Sequence, residues 1–347
     1  MSRRPAASTA PPGEHMTTKS SRLRASFRTI VIAALGLLAA MPVAMAQSFP
    51  TKPVHLVVPF PPGGSTDLIA RGLAEGLRKI WNQPVVVDNK PGSSQFVGSI
   101  YVENAAPDGY TILIANDAGL ESNLFLYSEL PYNPRKYTLI TRLVQVHEML
   151  VVSPSLPVSS LKEFVEYAKK NDKLFYSSPT VGSPEHIGME SLKVAAGFKM
   201  NHVAYKGMAP AIQGILTGDV QALVTSALAA GPHIKSGKLK PLAIAGDKRS
   251  ASIPDMPTFK EAGYPEISLG FWQALVAPAG TPADIASKIA ADVRAVMDSA
   301  EFRQRFVEPF EYTVIGDTPA EFSRYYQTSL PKAEKRVKDS GAKLEKE

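Results

Sequence analysis

The chain has 347 residues, no cysteine and a formal net charge of +6. That charge belongs mostly to residues 1–46, which carry six basic side chains against one acidic; the remainder carries 32 basic and 31 acidic side chains. These numbers exclude disulfides, cysteine-ligated metals, a thiol nucleophile, a lipidated cysteine and the basic footprint of a nucleic-acid-binding protein.

The first 46 residues have the pattern of a cleaved export signal. Three arginines within 22–28 precede an uncharged apolar run at 29–40, and Ala44-Met45-Ala46 offers the small residues that a signal peptidase reads. A transmembrane anchor is the alternative, but this run is shorter than the ~20 residues needed to span a bilayer. We expect cleavage after Ala46 and a periplasmic protein.

In the rest of the chain, β-branched runs alternate with amphipathic helical stretches. That alternation is typical of βαβ units, and the near-continuous hydrophobicity of the runs predicts strands buried on both faces. The sequence therefore predicts an α/β fold with a mostly parallel sheet. The candidate strands are Val54–Phe60, Val85–Asn89, Thr111–Asn116, Met149–Ser153, Leu174–Ser178, His202–Tyr205, Ala222–Ser226, Pro241–Ala245 and Gln273–Ala277.

Three helix starts are marked by capping residues. Ser160-Leu161-Lys162-Glu163 and Thr318-Pro319-Ala320-Glu321 have the sequence of a capping box, and Thr281-Pro282-Ala283-Asp284 is a close variant. We expect these signals to be structural and to have no role in ligand binding.

Two stretches, 149–157 and 262–272, look like domain boundaries, and a complete α/β set lies between them. The economical interpretation is a middle domain inserted into a discontinuous first one, a layout that makes a hinge and an interdomain cleft. The predicted domains are 47–148 with 268–347, and 149–267.

The first candidate site is the segment VPFPPGGSTD at 58–67. Its prolines stop strand pairing, Gly63 and Gly64 allow close approach of a ligand to the backbone, and Ser65 opens a helix whose N–H groups attract anions. The spacing fits neither a Walker loop nor a dinucleotide turn. The alternative is an ordinary tight turn in which Asp67 accepts from its own amides.

A second candidate site follows the strand that ends at Ser178. Thr180, Gly182 and Ser183 lead into a helix with Pro184 at its first position, and His186 lies in its first turn. Two helix N-termini on two domains would hold the two ends of a dicarboxylate, or one carboxylate between them. The alternative for His186 is a structural hydrogen bond.

Tyr205 ends a further candidate strand and is a candidate pocket residue, with packing at the rim as the alternative. Thr225, with Ser226, supplies a hydroxyl pair at the carboxyl end of another candidate strand. Enzyme hypotheses have little support, because the chain lacks a Gly-x-Ser-x-Gly elbow and the histidines after residue 46 lack metal-ligand spacing. A triad of Asp67, His186 and Ser178 is conceivable, yet each member already has a capping or turn role.

Nine ordered segments resemble the Bug-type solute receptors of tripartite tricarboxylate transporters over almost the whole chain after the leader. They are VVPFPPGGSTD (57–67), VVVDNKPG (85–92), AAPDGYTIL (105–113), SPSLPVSSLKE (153–163), GSPEH (182–186), VAYKG (203–207), GPHIKSGKLKPLAI (231–244), PDMPTFKEAGYP (254–265) and VAPAGTP (276–282).

The resemblance implies a two-domain periplasmic binding protein of the Venus flytrap, type II-like class, a monomer that captures a small organic carboxylate and delivers it to the permease subunits of the transporter. It implies no enzyme activity, cofactor, metal or nucleic-acid partner. It also implies that the loops matching 63–67 and 178–183 hold the carboxylate. The predicted ligand contacts are Phe60, Gly63, Gly64, Ser65, Thr66, Asp67, Ser178, Thr180, Gly182, Ser183, His186, Tyr205 and Thr225.

Several positions depart from the family pattern. The loop at 93–96 is bulkier than usual, Ser177 and Ala204 replace a frequent Gly and Pro, and Thr225 stands where many members carry an Asp that suits a ligand ammonium. That last change argues against amino-acid ligands. His147 lies near the family cleft and is a candidate reporter of a particular ligand.

Two other functions stay open at this level. One is a receptor that presents its ligand to a two-component sensor, and the other is an exported hydrolase that uses Ser178 and His186.

Overall fold

The computed structural model describes residues 49–267 and 269–342, so the predicted leader at 1–46 and its cleavage site lie outside the described residues. Ten strands form one sheet. They are β1 (Val54–Val58), β2 (Val85–Asn89), β3 (Thr111–Asn116), β4 (Thr138–Val152), β5 (Phe175–Ser178), β6 (Asn201–Ala204), β7 (Ala222–Ser226), β8 (Lys240–Ile244), β9 (Gly270–Ala277) and β10 (Thr313–Val314).

Helices connect and cover these strands. They are α1 (Ser65–Trp81), α2 (Phe96–Glu103), α3 (Asn123–Leu126), α4 (Leu161–Lys169), α5 (Pro184–Ala196), α6 (Met208–Thr217), α7 (Ala227–Lys235), α8 (Ala283–Asp298), α9 (Ala300–Phe302) and α10 (Pro319–Ser340). Among the described residues, no helix combines the length and the apolar character needed to cross a bilayer.

The strand order is β2-β1-β3-β9-β4-β7-β5-β6, with β8 and β10 also paired to β4. The outer pairs are parallel, as βαβ connections require: β1 with β2 and β3, and β5 with β6 and β7. Every pairing of β4, and that of β3 with β9, is antiparallel. The predicted α/β fold is confirmed, but the expectation of a mostly parallel sheet is wrong for the centre of the sheet.

The central strand β4 is the largest difference from the sequence prediction. The prediction began this strand at Met149, whereas it begins at Thr138 and pairs with both β9 and β7. Arg142, Gln145 and Glu148 interrupt its apolar pattern, so the first eleven residues do not look like a buried strand. Tertiary pairing on both sides overrides that local signal.

The apolar side chains form separate clusters on the two sides of the β4–β9 region. One contains β1, α1 and α8, where Val54, Leu56 and Val58 are fully buried; burial of each such side chain contributes about 1.5–3 kcal/mol. Another contains β5, α4 and α5. Leu269, which the sequence division placed in domain 1, packs in the second cluster. We keep the two-domain division as a proposal.

The three capping signals have different outcomes. At α10 the capping box of Thr318 and Glu321 is complete. At α4 the Ser160 hydroxyl accepts from the Glu163 N–H, but the Glu163 carboxylate accepts from Ser159 instead of Ser160. The predicted cap at Thr281 is wrong, because its hydroxyl donates to the Pro278 carbonyl and α8 begins without a side-chain cap.

Candidate functional site

The turn between β1 and α1 presents bare backbone at the carboxyl end of β1. Gly63 adopts φ +91°, which favours glycine, whereas Gly64 has ordinary extended angles of −81° and 173°. A Cβ added to either glycine would meet no atom within 4 Å. The space over this turn is therefore open to a ligand.

The Asp67 side chain stabilises the turn through hydrogen bonds. Its carboxylate accepts from the Gly63 N–H at 2.9 Å, from Arg71 Nε and Nη2 at 2.9 and 3.0 Å, and from Asn89 Nδ2 at 2.9 Å. Asn89 also donates to the Phe60 carbonyl at 3.1 Å. Burial opposes ionisation of Asp67, but these donors outweigh it and hold the pKa of Asp67 below its usual range. Asp67 and Phe60 thus support the turn. Ligand contact by either residue stays a prediction.

The N–H groups of Gly64, Ser65 and Thr66 are what this turn offers to an anion. Gly64 is the N-cap of α1, and Ser65 and Thr66 begin its first turn, where N–H groups have no partner within the helix; no described side chain caps them. The positive end of the helix dipole adds to their attraction for a negative charge. Gln273 donates from Nε2 to the Ser65 hydroxyl at 3.2 Å, which ties the turn to β9.

The second predicted seat, between β5 and α5, uses most of its donors internally. The Ser183 N–H donates to the Thr180 carbonyl at 3.4 Å, and the Gly182 N–H donates to His186 Nδ1 at 3.0 Å. The Ser183 hydroxyl caps α5 by accepting from the His186 N–H at 3.3 Å. Since Pro184 has no N–H, this loop offers an anion far fewer amides than the turn after β1.

A stack of three rings supports this loop, in which Tyr176 and His186 are buried and His202 is half-buried. His186 lies 3.9 Å from His202, centroid to centroid, and His202 lies 4.9 Å from Tyr176. Burial, with a smaller contribution from nearby positive charge, lowers the pKa of both His186 and His202 to about 4. Both imidazoles are therefore neutral at physiological pH, and each already has a hydrogen-bond partner near the loop, in Gly182 and Ser178. Ligand contact by His186 stays a prediction.

The geometry around Ser178 does not support the hydrolase hypothesis. Ser178 contacts Nε2 of His202 at 2.7 Å rather than His186, and its hydroxyl donates to the Thr180 carbonyl at 2.9 Å. With its one proton directed at Thr180, Ser178 must accept from His202 Nε2–H. A protonated nitrogen cannot remove the serine proton, so this pair lacks a general base.

Three other predicted residues have partners outside this loop. The Thr225 hydroxyl donates to the Met208 sulfur at 3.4 Å. Tyr205 packs over α6, where its hydroxyl lies 2.2 Å from the place a Cβ on Gly214 would occupy. His147 contacts the Thr313 hydroxyl at 2.9 Å. Ligand contact by Thr225 and Tyr205 stays a prediction.

The sequence analysis missed a group of buried polar side chains that connects the two loops. Glu148 on β4 is fully buried, and its carboxyl group lies against that of Glu185 with no other hydrogen-bond partner among the described residues. Glu185, in the first turn of α5, faces it. Tyr312 is also buried, and its hydroxyl lies beside that of Ser65. Successive side chains of a strand point to opposite faces, so Glu148 lies on the face of β4 opposite His147. An acidic residue within this strand was the sequence signal for the buried polar group.

Metal binding has no support from the described residues, because they contain no group of three His, Cys, Asp or Glu side chains in an arrangement that could hold an ion.

Comparison with known proteins identifies the architecture. A family model described as the tripartite tricarboxylate transporter family receptor matches residues 69–341. Protein BugT of Bordetella pertussis is 33% identical over 318 residues, which cover 91% of this chain and 96% of BugT.

Two solved structures are similar over nearly their whole length. The periplasmic binding protein BugD has a TM-score of 0.77 and 31% identity, covering 86% of this chain and 100% of BugD. Rpa4515 of R. palustris, solved with adipate, has a TM-score of 0.79 and 31% identity, covering 84% and 98%. The chain belongs to the receptor family of tripartite tricarboxylate transporters, whose members are periplasmic solute-binding proteins and not enzymes.

Proposed function

We propose that this protein is exported to the periplasm, loses its leader after Ala46, and as a monomer captures a small organic carboxylate between its two domains. It then delivers that ligand to the permease subunits of a tripartite tricarboxylate transporter. The observation that carries the proposal is the row of unpartnered N–H groups at Gly64, Ser65 and Thr66, under open space at the carboxyl end of β1.

The energetics favour an anion at this turn. A hydrogen bond between a backbone N–H and a charged oxygen contributes roughly 1.5–3 kcal/mol, and up to three such donors converge here. The charge of the Asp67 carboxylate is neutralised by Arg71. The carboxylate can therefore stabilise the backbone of the turn without repelling a bound anion. Hydroxyls of Ser65 and Thr66 offer further donors.

The relatives support the ligand class and the partner. The Rpa4515 structure is described with adipate, a dicarboxylate, and the matching family model is described as a transporter receptor. Ligands of α/β proteins collect at the carboxyl ends of strands, which is where this turn lies.

A thermal-shift screen tests the proposal. The protein, expressed in a Gram-negative host and stripped of ligand by partial unfolding and refolding, is screened against mono-, di- and tricarboxylates and aromatic acids, with the corresponding amides as controls. A ligand at a hundredfold excess over Kd stabilises by about 2.7 kcal/mol, a clear shift in Tm. A flat response to every acid would count against the proposal.

Delivery to the permease is tested separately. Cells that lack the chromosomal copy of this gene should lose uptake of the radiolabelled hit, and a plasmid copy should restore uptake. Unchanged uptake in the deletion strain, or restoration by a binding-deficient variant, would show that ligand capture by this protein is not needed for uptake.

A further inference from the structure

The Ser65 hydroxyl in the anion-binding turn meets two buried polar side chains. Gln273 on β9 is fully buried and donates from Nε2 to Ser65 Oγ at 3.2 Å. Tyr312, which is 6% exposed, has its hydroxyl beside that of Ser65. Both residues lie far from Ser65 in the chain, so only the fold brings them to this hydroxyl.

The sheet holds Gln273 in place from both sides. In the strand register it lies opposite Asn116 of β3 and Val144 of β4. Its Oε1 atom is buried and has no hydrogen-bond partner among the residues that the structure describes. An unpaired buried acceptor costs free energy, so packing of the sheet does not account for a glutamine at this position. Within the described chain, its side chain makes one hydrogen bond, to Ser65.

Tyr312 reaches Ser65 from a different element. It directly precedes β10, which pairs with β4, and its ring packs in the apolar cluster of β1 and α1. Burial, to which the negative charge of Glu148 adds, raises the pKa of Tyr312, so its hydroxyl keeps its proton at physiological pH. This hydroxyl has no other hydrogen-bond partner in the described part of the chain. The oxygen of Ser65 is therefore the acceptor available to it.

The bonding capacity of a hydroxyl determines where the Ser65 proton points. A serine hydroxyl has one proton and two lone pairs. When Gln273 and Tyr312 both donate to Oγ, both lone pairs are occupied, and the proton points away from these two side chains. No carbonyl or carboxylate of the described residues accepts it. The space over Gly63 and Gly64, where an added Cβ would meet no atom within 4 Å, is open to a ligand that does.

We infer that Gln273 and Tyr312 are positioning residues that fix the Ser65 hydroxyl as a hydrogen-bond donor towards the bound ligand. A hydroxyl fixed in this way needs no reorientation when the ligand binds, which lowers the cost of binding. It also presents no lone pair to the ligand, so this point of the turn favours an oxygen anion over an atom that carries a proton. The inference rests on the proposed function, because it assigns how the same turn selects its ligand.

Loss of either donor should free the Ser65 hydroxyl to rotate. Without the Gln273 amide, Ser65 can donate to the Tyr312 oxygen and turn a lone pair towards the ligand. Without the Tyr312 hydroxyl, one lone pair of Ser65 is free, and the proton no longer has a single direction. In both cases the hydrogen bond to the ligand weakens, while the backbone of the turn keeps its support from Asp67.

The test is a double-mutant cycle on ligand affinity. Gln273→Met removes the amide and nearly keeps its volume, Tyr312→Phe removes only the hydroxyl, and each is combined with Ser65→Ala. Affinity is measured by calorimetry with adipate and with the acid that gives the largest shift in the thermal-shift screen. We expect Gln273→Met and Tyr312→Phe each to weaken binding about three- to tenfold, and Ser65→Ala to weaken it about tenfold or more. In the Ser65→Ala background, neither substitution should weaken binding further by more than about twofold.

Two substitutions of the same type at other positions serve as controls. Gln145→Met removes an amide on the neighbouring strand β4 that donates to the Val146 carbonyl at 3.2 Å. Tyr110→Phe removes a hydroxyl that accepts from the Thr51 N–H at 2.9 Å, just before β3 and so at the edge of the sheet opposite the turn. Both should leave affinity within about twofold of that of the unmodified protein.

The cycle separates a positioning role from a purely structural one. If the Gln273 and Tyr312 substitutions weaken binding as much in Ser65→Ala as in the unmodified protein, they act through the fold and the inference is wrong. Unchanged affinity in both single variants also overturns it, and the proposed function stands in either case. If no acid binds to the unmodified protein, the proposed function fails and the inference fails with it. Variants are compared only where the urea midpoint shows a folded protein, and either single variant with its cycle suffices.

Discussion

Asp67 and Arg71, one turn apart on α1, form a bidentate ion pair with distances of 2.9 Å from Nε to Oδ2 and 3.0 Å from Nη2 to Oδ1. Asp67 is almost completely buried, whereas the Arg71 side chain is half exposed. The arginine therefore covers the Asp67 carboxylate on one side. The same carboxylate also accepts a hydrogen bond from the Gly63 N–H, which fixes the backbone of the turn. The ion pair therefore stabilises the turn whose N–H groups at Gly64, Ser65 and Thr66 are free to bind an anion.

Asp67→Asn should destabilise the protein by about 2 kcal/mol at pH 7, because the amide loses the charge-assisted bonds to Arg71 and Gly63. The pKa of Asp67 is lowered in the folded state, so its stabilising contribution is present above pH 3.8 and is lost as pH falls through the folded value. The urea midpoints of the two proteins should differ at pH 7 and converge as the pH is lowered below 3.8.

Asp284→Asn provides a matched control for that experiment. Asp284 also lies in the first turn of a helix, α8, but it is exposed. We expect a change within about 0.5 kcal/mol. Equal losses for both variants would mean that the network around Asp67 adds nothing to an ordinary helix start.

Gly64→Ala and Gly64→Val should weaken carboxylate binding progressively and leave folding almost unchanged. The backbone angles of Gly64 suit any residue, and an added Cβ meets no protein atom, so the new side chain occupies only the space over the amides. We expect the valine variant to lose at least tenfold in affinity, with an unchanged urea midpoint. Full affinity in the folded valine variant would place the ligand elsewhere.

The histidine stack should make the protein less stable in mild acid. The pKa of His186 and of His202 is lowered from 6.5 to about 4, so below pH 6.5 the unfolded chain binds more protons than the folded one. Stability should therefore fall as pH drops from 7 to 4. His202→Gln, which can still donate to Ser178, should reduce that slope by up to ~1.4 kcal/mol per pH unit.

His233→Gln is the control for the stack, because His233 lies on α7 away from the three rings. Its pH profile should follow that of the unmodified protein. A wild-type slope in His202→Gln would show that the stack does not govern the acid sensitivity. Equilibrium urea unfolding at half-unit steps of pH gives both profiles.

Two glycine substitutions test how Tyr205 is held. A Cβ at Gly214 on α6 would lie 2.2 Å from the Tyr205 hydroxyl, whereas a Cβ at Gly231 on α7 meets nothing. Gly231→Ala should stabilise the protein by ~0.5–1 kcal/mol through helix propensity, and Gly214→Ala should lose that gain because the tyrosine must move. The Tm values decide this comparison.

The same pair of variants tests whether Tyr205 contacts ligand. Displacement of the tyrosine in Gly214→Ala should change affinity if Tyr205 lines the pocket, and Gly231→Ala should not. Unchanged affinity in both variants would remove Tyr205 from the predicted contacts.

The sequence by itself determined the features that depend on residues close together in the chain. The strands β2, β3 and β7 follow from short apolar runs, the Thr318 cap from a box of four residues, and the turn at 63–67 from prolines and glycines that leave the backbone few alternatives. Family membership follows from the order of such local segments.

Only the tertiary structure decided the features that depend on pairing between distant residues. The sequence linked Ser178 to His186, eight residues after the end of the strand, but the parallel register of β5 and β6 brings His202 to Ser178. It also gave no reason to join Glu148 to Glu185, because one lies on a strand with an irregular pattern and the other in a helix cap. Long-range contacts and burial set those partners, and neither is written in local spacing.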